Sequence, residues 1–174
     1  RSSDLYGMVA AIKEVKGRDF SPEKAVIVGS GATASSALAA VVELGATKIN
    51  LLARRISKPG NALQAAIRLG INPGYIPLSA KAKARETIEN ADLVISTTPR
   101  EVLDEFYETV TFNPAQTVLD IVYDPSPTLL MKRASGAKAC TVSGKVMLLH
   151  QALMQVKLFT SRTPNLEAMR KAIF

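Results

Sequence analysis

Apolar residues come in two alternating textures along the 174-residue chain. Short, nearly unbroken apolar runs at 25–29, 48–53, 75–78, 92–96, 117–122 and 137–142 read as strands. Between them, apolar positions recur three and four apart, which predicts helices over 32–44, 61–69, 80–90, 100–107, 128–135 and 144–159. A further helix is predicted over 2–17, capped by Ser2 or Ser3, with Asp4 in its first turn and Gly17 at its end. Another, over 164–173, closes the chain. Glycines at 45, 70 and 136 stand just past predicted helix ends. Six strands with no alternation of their own, interleaved with helices, predict an α/β fold: a doubly wound six-stranded parallel sheet with helices on both faces.

No repeat, low-complexity segment or linker interrupts residues 20–160. The expected organisation is a single domain over 1–174. Residues 1–17 form a junction helix, 20–160 the core and 161–174 a C-terminal helix. The opening Arg-Ser-Ser-Asp points to a piece of something longer.

Composition narrows the class. With 47% hydrophobic and 21% charged residues the chain can bury a core. The single cysteine, Cys140, permits no intrachain disulfide and no cysteine metal cluster, and a cytoplasmic setting is expected. No membrane span and no secretory leader is expected. The net charge of +7 comes from 22 Lys and Arg against 15 Asp and Glu. These charges are scattered and aromatics are few, so a solvated basic surface or an anionic small ligand fits better than nucleic acid.

The first predicted strand runs into Gly29-Ser30-Gly31-Ala32-Thr33-Ala34, a G-x-G-x-x-A turn before a helix. Gly29 permits the tight turn, Gly31 lets a pyrophosphate approach the backbone, and Ala34 allows close helix–strand packing. The helix start then offers N–H groups to the anion. A tight turn without a ligand is the alternative for the motif alone. The second strand ends in Ala53-Arg54-Arg55, with Lys58 close behind. A carboxylate for the ribose hydroxyls of NAD is missing there, and its absence also speaks against an S-adenosylmethionine site. Arg54 can stack on an adenine and pair with a 2′-phosphate through its planar fork, which favours NADP.

Further segments carry a resemblance. They are Ser96-Thr97-Thr98-Pro99 after the fourth strand and Asp120-Ile121-Val122-Tyr123-Asp124-Pro125-Ser126-Pro127-Thr128 after the fifth. Gly144-Lys145-Val146-Met147-Leu148-Leu149-His150-Gln151-Ala152 opens the long helix, and Ser2-Ser3-Asp4-Leu5-Tyr6-Gly7 opens the chain. In order and spacing they resemble the C-terminal NADP-binding Rossmann domain of shikimate dehydrogenases. The corresponding family segments are Asn-Ala-Thr-Pro, D-x-x-Y-x-P-x-x-T, G-x-x-M-L-x-x-Q-A and Asn-Thr-Asp-x-x-Gly.

The resemblance implies NADP-linked reduction of 3-dehydroshikimate to shikimate, in chorismate and aromatic amino-acid biosynthesis. It makes Asp4 the catalytic aspartate and Tyr123 and Gln151 substrate contacts. It places Gly29 to Ala34, Arg54, Arg55, Lys58, Ser96 to Pro99, Val122, Gly144 and Met147 around the cofactor. It also implies a lysine on an N-terminal substrate domain that this chain lacks, so the chain alone is expected to bind NADP(H) without turnover. As partners it implies the substrate and that domain, in a monomer or homodimer.

Departures from the family pattern stand at Ala32, Ser35, Ala53, Arg55, Ser96, Phe159 and Ser161. They leave quinate open beside shikimate. An NAD-using quinate/shikimate enzyme and a non-catalytic nucleotide sensor remain the alternatives. His150 reads as a packing or surface residue, Cys140 as a small core residue, and Asp120 as a turn cap.

Overall fold

The computed structural model describes residues 2–55 and 62–174. In chain order the elements are α1 (Ser2–Lys16), β1 (Lys24–Val28), α2 (Ala32–Glu43), β2 (Lys48–Ala53), α3 (Ala62–Leu69), β3 (Gly74–Pro77) and α4 (Lys81–Glu89). Then follow β4 (Leu93–Ser96), α5 (Asp104–Glu108), β5 (Thr117–Asp120), α6 (Leu129–Gly136), β6 (Cys140–Ser143), α7 (Gly144–Thr160) and α8 (Leu166–Ile173). All six strands are parallel, in the order β3-β2-β1-β4-β5-β6. This is the doubly wound Rossmann order, whose crevice opens where the chain direction reverses, between β1 and β4.

Burial explains the apolar runs. β4 and β5 are buried at every position, and β1 at all but its first, because helices cover both sheet faces. On one face, Ile27, Ile95, Leu119 and Val142 pack against Met8 and Ile12 of α1, Leu38 of α2 and Met147 of α7. On the other, Val26, Val94 and Val118 pack against Ile88 of α4, Phe106 and Tyr107 of α5, and Leu130 of α6. Helix α1 stands outside the strand–helix alternation in sequence, yet Met8 and Ile12 are fully buried. It fills the place beside α7 that the sheet would otherwise expose. Among the described residues, no helix is long and apolar enough to cross a membrane.

Several predicted boundaries move, and at three of them one residue or one short turn decides the shift. The helix expected over 100–107 starts only at Asp104, because Glu101 has a left-handed φ of 64° that no helix continues. The strand expected over 117–122 stops at Asp120, whose carboxylate accepts from the Val122 N–H at 3.2 Å and turns the chain outward. The strand expected from 137 begins at Cys140. The N–H groups of Ala137, Lys138 and Ala139 are still closing the end of α6, with Lys138 at φ 62°. Cys140 itself is only half-buried.

Candidate functional site

The G-x-G-x-x-A turn lies at the crevice between β1 and β4. Gly29 has φ 121°, and a Cβ there would lie 2.2 Å from Thr97 Oγ1. Thr97 is pinned over it, since both its N–H and its hydroxyl donate to Val28 O, at 2.8 and 2.9 Å. Gly29 is therefore required by the fold. Gly31 is not: its φ is −80° and a Cβ there would meet nothing within 4 Å. It is the N-cap of α2 and offers the helix no side-chain cap. The first intrahelical bond, Ser35 N–H to Gly31 O, spans 3.2 Å, so the N–H groups of Ala32, Thr33 and Ala34 precede it. Ala34 is fully buried against the sheet, as a small third position requires. Open space over bare backbone at a helix N-terminus fits a dinucleotide pyrophosphate.

The second strand's end is tied to this turn. The Ser30 hydroxyl donates to Arg55 O at 2.8 Å, and the Ala62 N–H donates to Ser30 O at 3.3 Å. Ser30 therefore spends its hydroxyl on the neighbouring loop, and that loop places Arg54 and Arg55, both exposed, at the rim of the crevice. Lys58 lies outside the described residues.

Across the crevice, the loops after β4 and β5 form a second wall. Thr97 and Thr98 are half-buried and Pro99 is exposed. Ser96 is 1% exposed and its hydroxyl faces inward: it accepts from the Tyr107 O–H at 3.2 Å and lies 3.3 Å from Thr98 Oγ1. Val122 and the exposed Tyr123 follow Asp120, ahead of two cis peptide bonds, Asp124–Pro125 and Ser126–Pro127. Asp120 caps this turn, accepting from Thr128 Oγ1 at 2.8 Å as well as from Val122 N–H. Burial pushes its carboxyl above the ordinary range, against these two hydrogen bonds, which pull it down.

A carboxyl raised in the fold keeps its proton over a pH range in which the unfolded chain has lost it. Stability from this group is therefore expected to fall as pH rises from the ordinary carboxyl value through the raised one. Denaturant midpoints at about pH 4 and about pH 7 check it. Relative to Asp120→Asn, the unaltered chain should gain stability at the lower pH, and a constant difference would contradict the assignment.

At the third wall, α1 and α7 meet closely. A Cβ on Gly7 would lie 2.8 Å from Met147 O and 3.2 Å from Gln151 Cβ, so the two backbones approach only because Gly7 is bare. This contact aligns the Gln151 amide with Asp4: Nε2 donates to Oδ1 at 2.5 Å. Gln155 Nε2 donates to Ser3 Oγ at 3.5 Å one turn on. Gly144 and Met147 are both buried in the first turn of α7.

Two features escaped the sequence reading. One is Tyr107, whose partner Ser96 lies across a loop. The other is the ion-pair cluster at His150, read as a packing or surface residue. Its Nε2 donates to Glu14 at 2.7 Å, and Arg170 of α8 donates to both oxygens of the same carboxylate at 2.9 Å. Burial raises the Glu14 carboxyl, but these donors outweigh it and hold it below the ordinary range. Neither feature has a short-range motif that would have revealed it.

A family model described as the shikimate 5′-dehydrogenase C-terminal domain matches residues 146–174. Shikimate dehydrogenase (NADP(+)) of Bartonella tribocorum is 32% identical over 182 residues, covering 99% of this chain and 60% of the relative. The enzyme of the same name from Leptospira interrogans is 32% identical over 162 residues, covering 88% of this chain and 56% of the relative. Among solved structures, Mycobacterium tuberculosis shikimate dehydrogenase superposes with a TM-score of 0.84 at 31% identity, over 98% of this chain and 61% of that one. The Thermus thermophilus enzyme, solved with NADP(H) and shikimate, shares the fold at 23% identity and a TM-score of 0.72, over 98% of this chain and 61% of that one. The chain thus spans about three-fifths of the length of the relatives it matches. Sequence and fold agree that the chain belongs to the shikimate dehydrogenase family and matches the C-terminal domain of its members.

Proposed function

We propose that this chain is the NADP(H)-binding part of an enzyme that interconverts 3-dehydroshikimate and shikimate. The observation that carries the reading is Gly31. The fold makes no demand for glycine there, and the space around a Cβ at this position, at the start of α2, is open. The turn's backbone is left bare for a ligand, and the relatives named for NADP(+) say which dinucleotide to test first.

The residues divide the work by position. The N–H groups of Ala32, Thr33 and Ala34 hold the pyrophosphate oxygens. Arg54 pairs its planar guanidinium with the 2′-phosphate and stacks on the adenine, and Arg55 adds positive charge beside it. Thr97 to Pro99 and Val122 wall the crevice on the β4–β5 side, with Gly144 and Met147 at the start of α7. When bound, NADPH supplies the hydride. Asp4 and Gln151 hold the substrate. Gln151 must turn its amide nitrogen to Asp4, because a carboxylate only accepts, and so its carbonyl oxygen is left to accept from a substrate hydroxyl. Asp4 keeps its second oxygen for the proton that the reaction moves, and Tyr123, exposed in the segment after β5, adds a substrate contact.

Calorimetric titration of the chain with NADP+ and with NAD+ tests this. NADP+ is expected to bind roughly ten- to a hundredfold more tightly, the worth of a charge-assisted contact to the 2′-phosphate. Arg54→Ala should remove the preference. Equal binding would overturn NADP in favour of an NAD-using quinate or shikimate enzyme. Binding of neither would overturn the cofactor site.

A further inference from the structure

A cavity of about 330 Å³ opens between the loops after β4 and β5, on the sheet face covered by α5 and α6. At its inner end stands Tyr107, 3% exposed among Val118, Leu130 and Phe106. A phenylalanine would pack there equally well, as Phe106 does beside it. A phenol in that place buries a hydroxyl, which must find a partner. It finds Ser96, the last residue of β4, and Ser96 in turn touches Thr98.

The two threonines of this loop are held from opposite sides. Thr97 is fastened to β1 through Val28 O, over Gly29. Thr98 is fastened toward α5 through Ser96 and Tyr107. Ser96 also faces Asp120 in the sheet register, so the same point anchors the exits of both β4 and β5. In a doubly wound sheet one half of a dinucleotide lies over β1 to β3 and the other over β4 to β6. The Tyr107 tie bears only on the second half.

We propose, resting on the NADP reading above, that Tyr107 is a positioning residue: its hydroxyl, through Ser96 and Thr98, fixes the loop against which the nicotinamide half of the dinucleotide is held. Tyr107 touches no ligand itself. Its role is to keep Thr98 and Pro99 in place from behind.

The test uses the full chain and two probes. NADP+ carries both halves, whereas adenosine 2′,5′-bisphosphate carries the adenine, ribose and 2′-phosphate and lacks the nicotinamide half. In Tyr107→Phe, NADP+ affinity is expected to fall about three- to tenfold, the usual worth of one buried neutral hydrogen bond, with bisphosphate affinity unchanged. Ser96→Ala should give the same split. The double variant should lose no more than either single one, since all three remove one coupled contact. Equal losses for both probes, or unchanged NADP+ binding in both single variants, would overturn the proposal while leaving the cofactor reading in place. Failure of the unaltered chain to bind either probe would overturn that reading, and this inference with it.

Discussion

Gly31→Val is expected to abolish NADP+ binding while moving the melting temperature by no more than about 2–4 °C. Gly29→Ala is expected to do the reverse, lowering the melting temperature by about 5–15 °C. At position 31 the backbone is in a region open to any residue and the space around a Cβ is empty. A side chain there disturbs only the N-cap of α2, which has no side-chain cap to lose, at a cost of about 1 kcal/mol or less. Its branches would fill the volume a pyrophosphate needs to reach the N–H groups of Ala32 to Ala34. At position 29 the backbone is left-handed, which costs about 1–2 kcal/mol for alanine. The new Cβ also collides with Thr97 Oγ1 and breaks its hydrogen bond to Val28 O. Thermal melts and NADP+ titrations on both variants check the pair. A Gly31→Val chain that still bound NADP+ at the original affinity would mean that the turn carries no pyrophosphate.

The contrast marks the limit of what the sequence could say. Gly29 and Gly31 are the same letter in one motif, and only the structure separates a glycine the turn needs from one it does not. The sheet was legible because burial on both faces forces each strand into an unbroken apolar run, and parallel pairing needs a helix between strands. Three of the shifted boundaries were illegible because each is decided by a single residue. These are the left-handed Glu101 and Lys138, and Asp120, whose side chain ends a strand that its apolar neighbours would continue. Arg54 and Arg55 were readable as a basic strand end, while their attachment to the glycine turn through the Ser30 hydroxyl was not. The pairing of Asp4 with Gln151 bridges 147 positions, so no local spacing encodes it, and the family resemblance named the two residues separately without their contact. Tyr107 gave no signal in the sequence: its packing is that of an ordinary core aromatic, and only the partner of its hydroxyl sets it apart.

Gly144→Ala should cost about 2–4 kcal/mol and lower the melting temperature by roughly 5–15 °C, although alanine is the better helix former. Position 144 is the first residue of α7 and follows β6 with no loop between them. A Cβ there would lie 2.3 Å from Ile121 O, 2.6 Å from Ile121 C and 2.9 Å from Val122 C. All three are backbone atoms of the chain leaving β5, just where Asp120 has fixed its turn. No side-chain rotation relieves the contact, so either α7 or the β5 exit must shift. A shift of α7 would also carry Gln151 away from Asp4. Gly136→Ala is the matched control: it lies in the last turn of α6 with nothing within 4 Å of a new Cβ. There the unfolded chain loses entropy and the fold loses nothing, so stability should hold or rise by up to about 1 kcal/mol. If Gly144→Ala melted with the control, the segment at Ile121 and Val122 would have to be free to yield, and the wall it forms would not be rigid. Gly144 is thus accounted for by packing, whereas no packing contact demands glycine at position 31, and the NADP+ titration decides whether a ligand does.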